Sequence, residues 1–380
     1  MSFPETPTRR ALGLMLGAGA LSGCATTLSA ITPGPSLLRP GLIGPDRLFP
    51  MRLTADRVAR VVVGLRPYRP AGFVVKAEAL GAKRLVHNYG HGGAGITLSW
   101  GTSHQAVDIG FAGAGRAHAV LGCGAVGLAT ARLIQQRGGQ VTIYAESLPP
   151  DTTSNIAGGQ WHAAWSYERA AVDAAFVARF NQAARLSHRH FQNLLGGPYG
   201  VTWRRNYFVF DERREFGPRD LALQDLEPEM AVLEPGQHPF GRHWLQQFSA
   251  MQIEPQIYLQ AVLEDVLVAG GKIVVRKFNT PAEVTALPEE VVFNCTGLGA
   301  RELFGDTAMI PARGQLVVFL PQRELDYNLT YGSTYIFPRS DGVITGGTFE
   351  RDVWSTEPDS ETTKQILAGA AETTALMRPR

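Results

Sequence analysis

Apolar runs separated by Gly- and Pro-rich breaks dominate the pattern along the chain. Residues 58–64 are mostly apolar and β-branched, which predicts a buried strand, and the prolines at 67 and 70 are expected to break it. Residues 96–109 are moderately amphipathic and predict a helix. A strand at 119–121, a helix at 128–137 and a strand at 141–144 form a predicted strand–turn–helix–strand unit.

Later segments include both strand-like and helix-like patterns of apolar residues. They predict an α/β fold to which an antiparallel sheet has been added. The predicted strands are 204–211, 315–319, 334–337 and 342–347, and the predicted helices are 257–269 and 361–377.

Composition favours a compact globular protein of two or three domains. The 380 residues are 44% hydrophobic and 18% charged. Lys and Arg number 36 against 34 Asp and Glu, so no basic field for nucleic acid is indicated. Three cysteines imply no disulfide framework, and their spacing matches no metal site.

The first 24 residues have the anatomy of an export signal. Thr8-Arg9-Arg10 precedes an apolar run at 11–21, too short to span a bilayer, and Leu21-Ser22-Gly23-Cys24 resembles a bacterial lipobox. We expect a twin-arginine signal and a periplasmic or membrane-anchored lipoprotein, with Cys24 acylated. The alternative is an apolar N-terminus with a chance cysteine. Residues 25–56 read as a linker.

The turn of the strand–turn–helix–strand unit carries a glycine fingerprint. Gly122, Gly124 and Gly127 allow a tight turn and let the backbone approach a pyrophosphate at the helix N-terminus. Glu146 follows the second strand, where a ribose hydroxyl would bind. The unit alone does not separate NAD from FAD, and a glycine-rich turn in an unrelated α/β protein is the alternative.

Other blocks are more specific, above all HNYGHGGAGIT at 87–97 together with GLRP at 64–67. With the blocks that follow, they resemble the D-amino acid oxidase family over residues 57–380. The segment DTTSNIAGGQW at 151–161 resembles the family's second flavin-contacting segment. NCTG at 294–297, RGQ at 313–315, YIFP at 335–338 and GGTF at 346–349 resemble further family blocks.

The order of the blocks departs from the family, in which the Arg-Pro strand and the His-Asn-Tyr-Gly-His block close the chain. Here both precede the dinucleotide turn, which indicates a circular permutation joined through residues 110–117; a scrambled gene model is the alternative. The resemblance implies a Rossmann-like FAD-binding domain and an antiparallel-sheet substrate domain. The expected divisions are 1–24 signal, 25–56 linker, 57–71, 171–249 and 309–380 substrate domain, and 72–170 and 250–308 FAD-binding domain.

The resemblance also implies site residues. Arg66 would hold the substrate carboxylate with its planar fork, and Tyr335 would add a hydrogen bond. The Gly93 carbonyl would accept from the amine, Tyr331 would line the pocket, and His162 would fall near the substrate. Tyr331 and Tyr335 are expected on one strand, where residues i and i+4 share a face. The expected FAD contacts are Gly92, Gly93, Gly95, Ile96, Thr97, Gly122, Gly124, Ala125, Val126, Gly127, Glu146, Thr153, Ser154, Gly158, Gly159, Gln160 and Phe278.

Three functions stay open at this stage. The first is oxidation of D-amino acids with O₂ as acceptor; the second is a flavin dehydrogenase that passes electrons to a quinone. The third is a non-catalytic amino-acid-binding lipoprotein. Arg66 could instead form a structural ion pair, the two tyrosines could be sheet aromatics, and His162 could face solvent. The absence of an evident second arginine favours neutral over acidic side chains, and a homodimer is one arrangement left open.

Overall fold

The computed structural model describes residues 48–111, 116–163, 166–215 and 222–377. The expected export signal, Cys24 and residues 25–47 of the expected linker lie outside these ranges. Within the described ranges, no helix has both the length and the apolar character that crossing a bilayer requires.

A six-stranded sheet has the order β2-β3-β10-β4-β5-β9. All its pairs are parallel except β2 with β3. Helices cover both faces of this sheet, so the central strands β4 and β10 are buried except for Ala117. The strands are β2 (Val74–Leu80), β3 (Lys83–Tyr89), β4 (Ala117–Leu121), β5 (Gln140–Ala145), β9 (Lys272–Val275) and β10 (Val291–Asn294).

A nine-stranded sheet has the order β1-β11-β14-β13-β12-β6-β8-β7, with β15 paired to β11. Its pairs are antiparallel except β12 with β6. The two sheets confirm the expected α/β class with an added, mainly antiparallel sheet. The strands are β1 (Val58–Tyr68), β6 (Val201–Phe210), β7 (Ala231–Leu233), β8 (Trp244–Ile253), β11 (Ile310–Phe319), β12 (Tyr327–Tyr331), β13 (Thr334–Arg339), β14 (Gly342–Gly346) and β15 (Glu350–Arg351).

Helices pack on both sheets. The side chains of α1, α2, α3 and α4 share one core with the six-stranded sheet, whereas α7 packs on the nine-stranded sheet. Asp173 caps α3 by accepting a hydrogen bond from the Phe176 N–H group at 2.7 Å. The helices are α1 (Gly95–Gly110), α2 (Ala125–Gln136), α3 (Ala174–Asn193), α4 (Pro255–Val268), α5 (Pro281–Thr285), α6 (Gly299–Phe304) and α7 (Ser360–Ala375).

Three details differ from the sequence-based expectations. Strand β1 does not end before Pro67 but continues to Tyr68, two residues before Pro70, with Pro67 opposite Pro311. It is an edge strand, where a missing N–H donor is tolerated. Helix α3, expected in the substrate domain, joins the core of the six-stranded sheet. The expected division at 249/250 falls inside β8.

The crossing of α1 and α3 yields a stability prediction. A Cβ at Gly101 would lie 1.8 Å from the Ala183 carbonyl oxygen, a backbone atom that cannot rotate away. We therefore expect Gly101→Ala to lower the free energy of unfolding by about 3 kcal/mol. Thermal unfolding measures this. Gly197→Ala is the control because its Cβ would meet no atom within 4 Å; an equal Tm for the two variants would contradict the prediction.

Candidate active site

A cavity of about 660 Å³ follows the carboxyl ends of the parallel strands and continues to the nine-stranded sheet. Leu121, Ala145 and Cys295, which end or follow β4, β5 and β10, all line it. Ligands of open α/β sheets bind at this edge of the sheet. The cavity therefore coincides with the expected dinucleotide site.

The glycine turn forms one wall. Gly122 has a φ of +103°, and a Cβ there would lie 2.5 Å from the Cys295 carbonyl oxygen, so only glycine fits. Ser154 Oγ accepts a hydrogen bond from the Ala125 N–H group at 3.0 Å, which joins the helix N-terminus to the segment that follows β5. Gly124, Ala125, Val126, Thr153 and Ser154 line the cavity.

Gly127, an expected FAD contact, is placed elsewhere. It is not among the residues that line the cavity. A Cβ on it would lie 2.0 Å from the Gly122 carbonyl oxygen, so this glycine lets α2 pack closely against its own turn. The structure therefore assigns Gly127 a role in close helix packing.

Glu146 and Lys277 stand at the nucleotide end. The Lys277 ammonium donates to Glu146 Oε1 at 3.0 Å, and the Glu146 carboxylate raises the pKa of Lys277. Phe278 also lines this end, with the Arg276 guanidinium 4.5 Å from its ring centroid. Arg276 and Lys277 escaped sequence analysis because no motif connects the end of β9 to the glycine turn.

The segment Gly158-Gly159-Gln160 lines the cavity where it meets the nine-stranded sheet. Gln252 Nε2 donates to the Gly158 carbonyl at 2.9 Å, and the Ile253 N–H group donates to the Gly159 carbonyl at 2.7 Å. The Gln160 side-chain amide donates to Asn206 Oδ1 at 2.6 Å. These bonds attach the segment firmly to β6 and β8.

Arg66 enters the cavity from β1. Its Nη1 donates to the Thr348 carbonyl at 3.1 Å, and its guanidinium carbon lies 5.7 Å from the Phe349 ring centroid. A Cβ on Gly314 would lie 2.3 Å from Nη1, so glycine makes room for the guanidinium. Of the residues that the structure describes, no carboxylate pairs with Arg66. A cation held by neutral groups in a cavity is suited to bind an anion.

Tyr335 lies beside this cation. Burial raises the pKa of the Tyr335 hydroxyl, and the nearby Arg66 guanidinium opposes that effect. Register places Leu316, Gly346, Tyr335, Thr330 and Phe208 in one row across β11, β14, β13, β12 and β6. Side chains in such a row share a sheet face. Tyr335 therefore faces the cavity together with Leu316.

Tyr331 does not join this face, and the expectation that both tyrosines lie on one strand is wrong. A hairpin turn separates them, and Tyr331 pairs with Thr334, one register position from the Thr330–Tyr335 pair. A shift of one residue reverses the face. Tyr331 packs against the cluster beneath α7, and its hydroxyl donates to Asp211 Oδ1 at 3.0 Å. It is not among the cavity-lining residues.

The block before α1 supplies another wall. Gly92, Gly93, Gly95, Ile96 and Thr97 all line the cavity, and a Cβ on Gly93 would lie 3.5 Å from Arg66 Cδ. Burial lowers the pKa of His91 to about 3, so the ring is neutral near pH 7. Its Nε2 pairs with Thr102 Oγ1 at 2.8 Å, which makes it a packing residue.

Comparison with known proteins agrees with this geometry. The family described as "FAD dependent oxidoreductase" matches residues 44–109 and 118–376. The chain belongs to this family. It is 33% identical to a D-amino-acid oxidase from Streptomyces coelicolor, over 68% of this chain and 77% of that protein. It is 30% identical to a human D-aspartate oxidase, over 66% of this chain and 71% of that protein.

Solved structures support the fold of this FAD-dependent oxidoreductase. Glycine oxidase from Geobacillus kaustophilus matches with a TM-score of 0.53 and 14% identity, over 68% of this chain and 78% of that chain. L-proline dehydrogenase from P. horikoshii matches with a TM-score of 0.52 and 15% identity, over 68% of this chain and 76% of that chain. At these identities the likeness concerns the fold alone.

The residues present fit FAD. The glycine turn leaves room for a pyrophosphate at the N-terminus of α2, Glu146 can accept from ribose hydroxyls, and the Gly158–Gln160 segment borders the far end. Among the described residues no cluster of His, Cys, Asp and Glu side chains could hold a metal ion.

The nucleotide end generates a binding prediction. We expect Glu146→Ala to weaken FAD binding about tenfold, because a carboxylate that accepts from the ribose is lost. Titration of the flavin-free protein with FAD, followed by flavin fluorescence, measures the Kd. Glu290→Ala, an exposed acidic residue that does not line the cavity, is the matched control. Equal affinities for the two variants would remove Glu146 from the site.

Proposed function

We propose that this FAD-dependent oxidoreductase oxidises D-amino acids to 2-oxo acids. The observation that carries the proposal is the guanidinium of Arg66, which has no carboxylate partner among the described residues and lies beside Tyr335 and Gly93. A group that presents one carboxylate and one amine fits this arrangement. The D-amino-acid oxidase and D-aspartate oxidase relatives support the same substrate class.

The chain's own residues bind and orient the substrate. Arg66 forms a planar, permanently charged fork for the α-carboxylate, and Tyr335 donates to the same group. The Gly93 carbonyl accepts from the amine, so the carboxylate and the amine together fix the orientation of the α-carbon. FAD, when bound, supplies the two-electron acceptor for the Cα hydride. Positioning therefore accounts for most of the proposed rate enhancement.

The terminal electron acceptor belongs to the same proposal. Loss of the Cα hydride leaves a 2-imino acid, which water hydrolyses to the 2-oxo acid and ammonia. With O₂ as the acceptor the two electrons and two protons leave as H₂O₂. A quinone is the second candidate, favoured by the expected export signal and the lipobox-like segment that ends at Cys24, because acylation there would tether the protein at a membrane. Reoxidation rates of the reduced protein with O₂ and with a soluble quinone separate the two.

An anaerobic substrate panel tests the function. D-amino acids are expected to bleach the flavin absorbance, whereas the matching L-enantiomers leave it unchanged. Bleaching by L-enantiomers alone, or by none of the panel, would overturn the proposal. A purified protein without flavin absorbance, even after FAD is added, would favour a non-catalytic binding protein.

Removal of the cation tests the carboxylate site. Arg66→Ala should raise KM for a neutral D-amino acid about 100-fold or more while flavin stays bound, because the charge-assisted fork is lost. Steady-state kinetics and flavin content measure the two effects. Arg66→Lys should recover only part of the loss, since an ammonium cannot pair bidentately. An unchanged KM in Arg66→Ala would remove Arg66 from the site.

The two tyrosines form a matched pair. Tyr335→Phe should raise KM several-fold because a hydrogen bond to the substrate carboxylate is lost. Tyr331→Phe should leave kcat and KM near the original values, since its hydroxyl contacts Asp211 on the other face of the sheet. The same steady-state assay applies to both. A larger effect at Tyr331 than at Tyr335 would refute the assignment of faces.

A further inference from the structure

His87 is the first residue of the HNYGHGGAGIT motif, and it lies at the end of β3 opposite Asn294 at the end of β10. Both side chains are buried, at 2% and 0% exposure, and neither residue lines the cavity. Thr296, two residues beyond Asn294, does line it. The buried pair can therefore reach a bound ligand through Thr296.

The hydrogen bonds of Thr296 fix the direction of the Asn294 amide. Asn294 Oδ1 accepts from the Thr296 N–H group at 3.2 Å and from the Thr296 hydroxyl at 2.7 Å. A backbone N–H can only donate, so the amide oxygen must face Thr296 and Nδ2 must face away from it. Nδ2 lies 3.0 Å from His87 Nδ1. Nδ1 is therefore an acceptor, which requires a neutral imidazole with its proton on Nε2.

The surroundings of His87 agree with a neutral ring. Nε2 lies 3.0 Å from Glu78 Oε1, although without the alignment of a hydrogen bond, so its proton faces a carboxylate. Burial is the largest influence on the pKa of His87 and lowers it; Lys76 adds to this effect, whereas Glu78 and Asp306 oppose it. The Tyr89 ring packs edge-on against the imidazole, with the centroids 5.5 Å apart.

Thr296 itself stands against the glycine turn. A Cβ on Gly122 would lie 3.5 Å from Thr296 Cα, and the Cys295 N–H group donates to the Leu121 carbonyl at 2.9 Å. The Thr296 hydroxyl hydrogen is held by Asn294, which restricts the side chain to one rotamer. A wall residue that is ordered before the ligand arrives lowers the entropy cost of binding.

We propose that His87 and Asn294 are positioning residues for FAD binding, in which the neutral imidazole orients the Asn294 amide and this amide holds Thr296 on the cavity wall. Each group in the series donates or accepts in one direction, so a change at His87 is passed on to Thr296. FAD binding does not depend on which substrate is oxidised, so this role is separate from the proposed function.

Replacement of His87 tests the first link. His87→Leu leaves Asn294 Nδ2 buried without its acceptor, so the Kd for FAD should rise about tenfold. His87→Asn offers an amide oxygen in place of Nδ1 and should keep the Kd within about threefold of the wild-type value. His118→Leu is the matched control, since it puts the same side chain at another buried histidine of this sheet that does not line the cavity. Fluorescence titration of the flavin-free proteins with FAD measures each Kd.

Asn294→Asp tests the direction of the hydrogen bonds. The new carboxylate still accepts from Thr296 but turns its second oxygen towards the lone pair of His87 Nδ1. The imidazole then lies between two carboxylates, which raises the pKa of His87 and favours the doubly protonated ring. The series is complete below that raised pKa and is lost above it.

The Kd of Asn294→Asp for FAD should therefore be about tenfold larger at about pH 9 than at about pH 7. The wild-type Kd should be the same at both, because its imidazole is neutral throughout. Combining His87→Asn with Asn294→Asp should remove the pH dependence, since an amide N–H donates to the carboxylate and does not titrate.

Thermal unfolding of the flavin-free variants separates positioning from a merely structural role. Restored affinity in His87→Asn, with a pH dependence that the double variant removes, supports the proposal because lost stability alone would not follow the titration of one histidine. The proposal is overturned if His87→Leu binds FAD as tightly as His118→Leu, or if Asn294→Asp has the same Kd at both pH values. A lowered Tm in His87→Leu without recovery of affinity in His87→Asn also overturns it.

Discussion

The contact between Arg66 and Gly314 is the constraint on which the substrate end depends. Arg66 pairs across β1 and β11 with Ala312, so its long side chain extends along β11 to a position where only glycine leaves room. In the part of the chain that the structure describes, the guanidinium then meets a carbonyl, an aromatic ring and a phenol, and no carboxylate. Because no carboxylate among the described residues compensates its charge, the guanidinium would give the cavity a strong anion site at a defined position.

One segment, residues 151–162, connects the nucleotide end of the cavity with the end that contains Arg66. Residues 151–162 leave the nucleotide end at Ser154, which accepts from the N-terminus of α2. They reach the nine-stranded sheet at Gly158 and Gly159, whose carbonyls are bonded to β8. A segment bonded at both ends in this way would keep the distance between a bound pyrophosphate and the proposed substrate constant, which catalysis by positioning requires.

Strands that lie far apart in the chain are neighbours in both sheets. The family matches two separate stretches, 44–109 and 118–376. In space, β3 from the first stretch pairs with β10 from the second, and β1 pairs with β11. Pairing between strands defines both sheets whatever the order in which the strands are connected, so a block can meet these neighbours from either place in the chain. Circular permutation of the family's order stays a prediction.

The sequence by itself determined the local features. These are the glycine turn, the helix α1 that follows its glycine block, and the motifs that resemble the family. Each depends on residues close together in the chain, whose φ angles and periodicity are local properties. Only the tertiary structure decided which face each tyrosine occupies, because one register position separates Tyr331 from the cavity. Only the tertiary structure shows that Glu227 pairs with His162 on the cavity wall, because no local sequence pattern predicts which distant loop packs against a given side of the cavity.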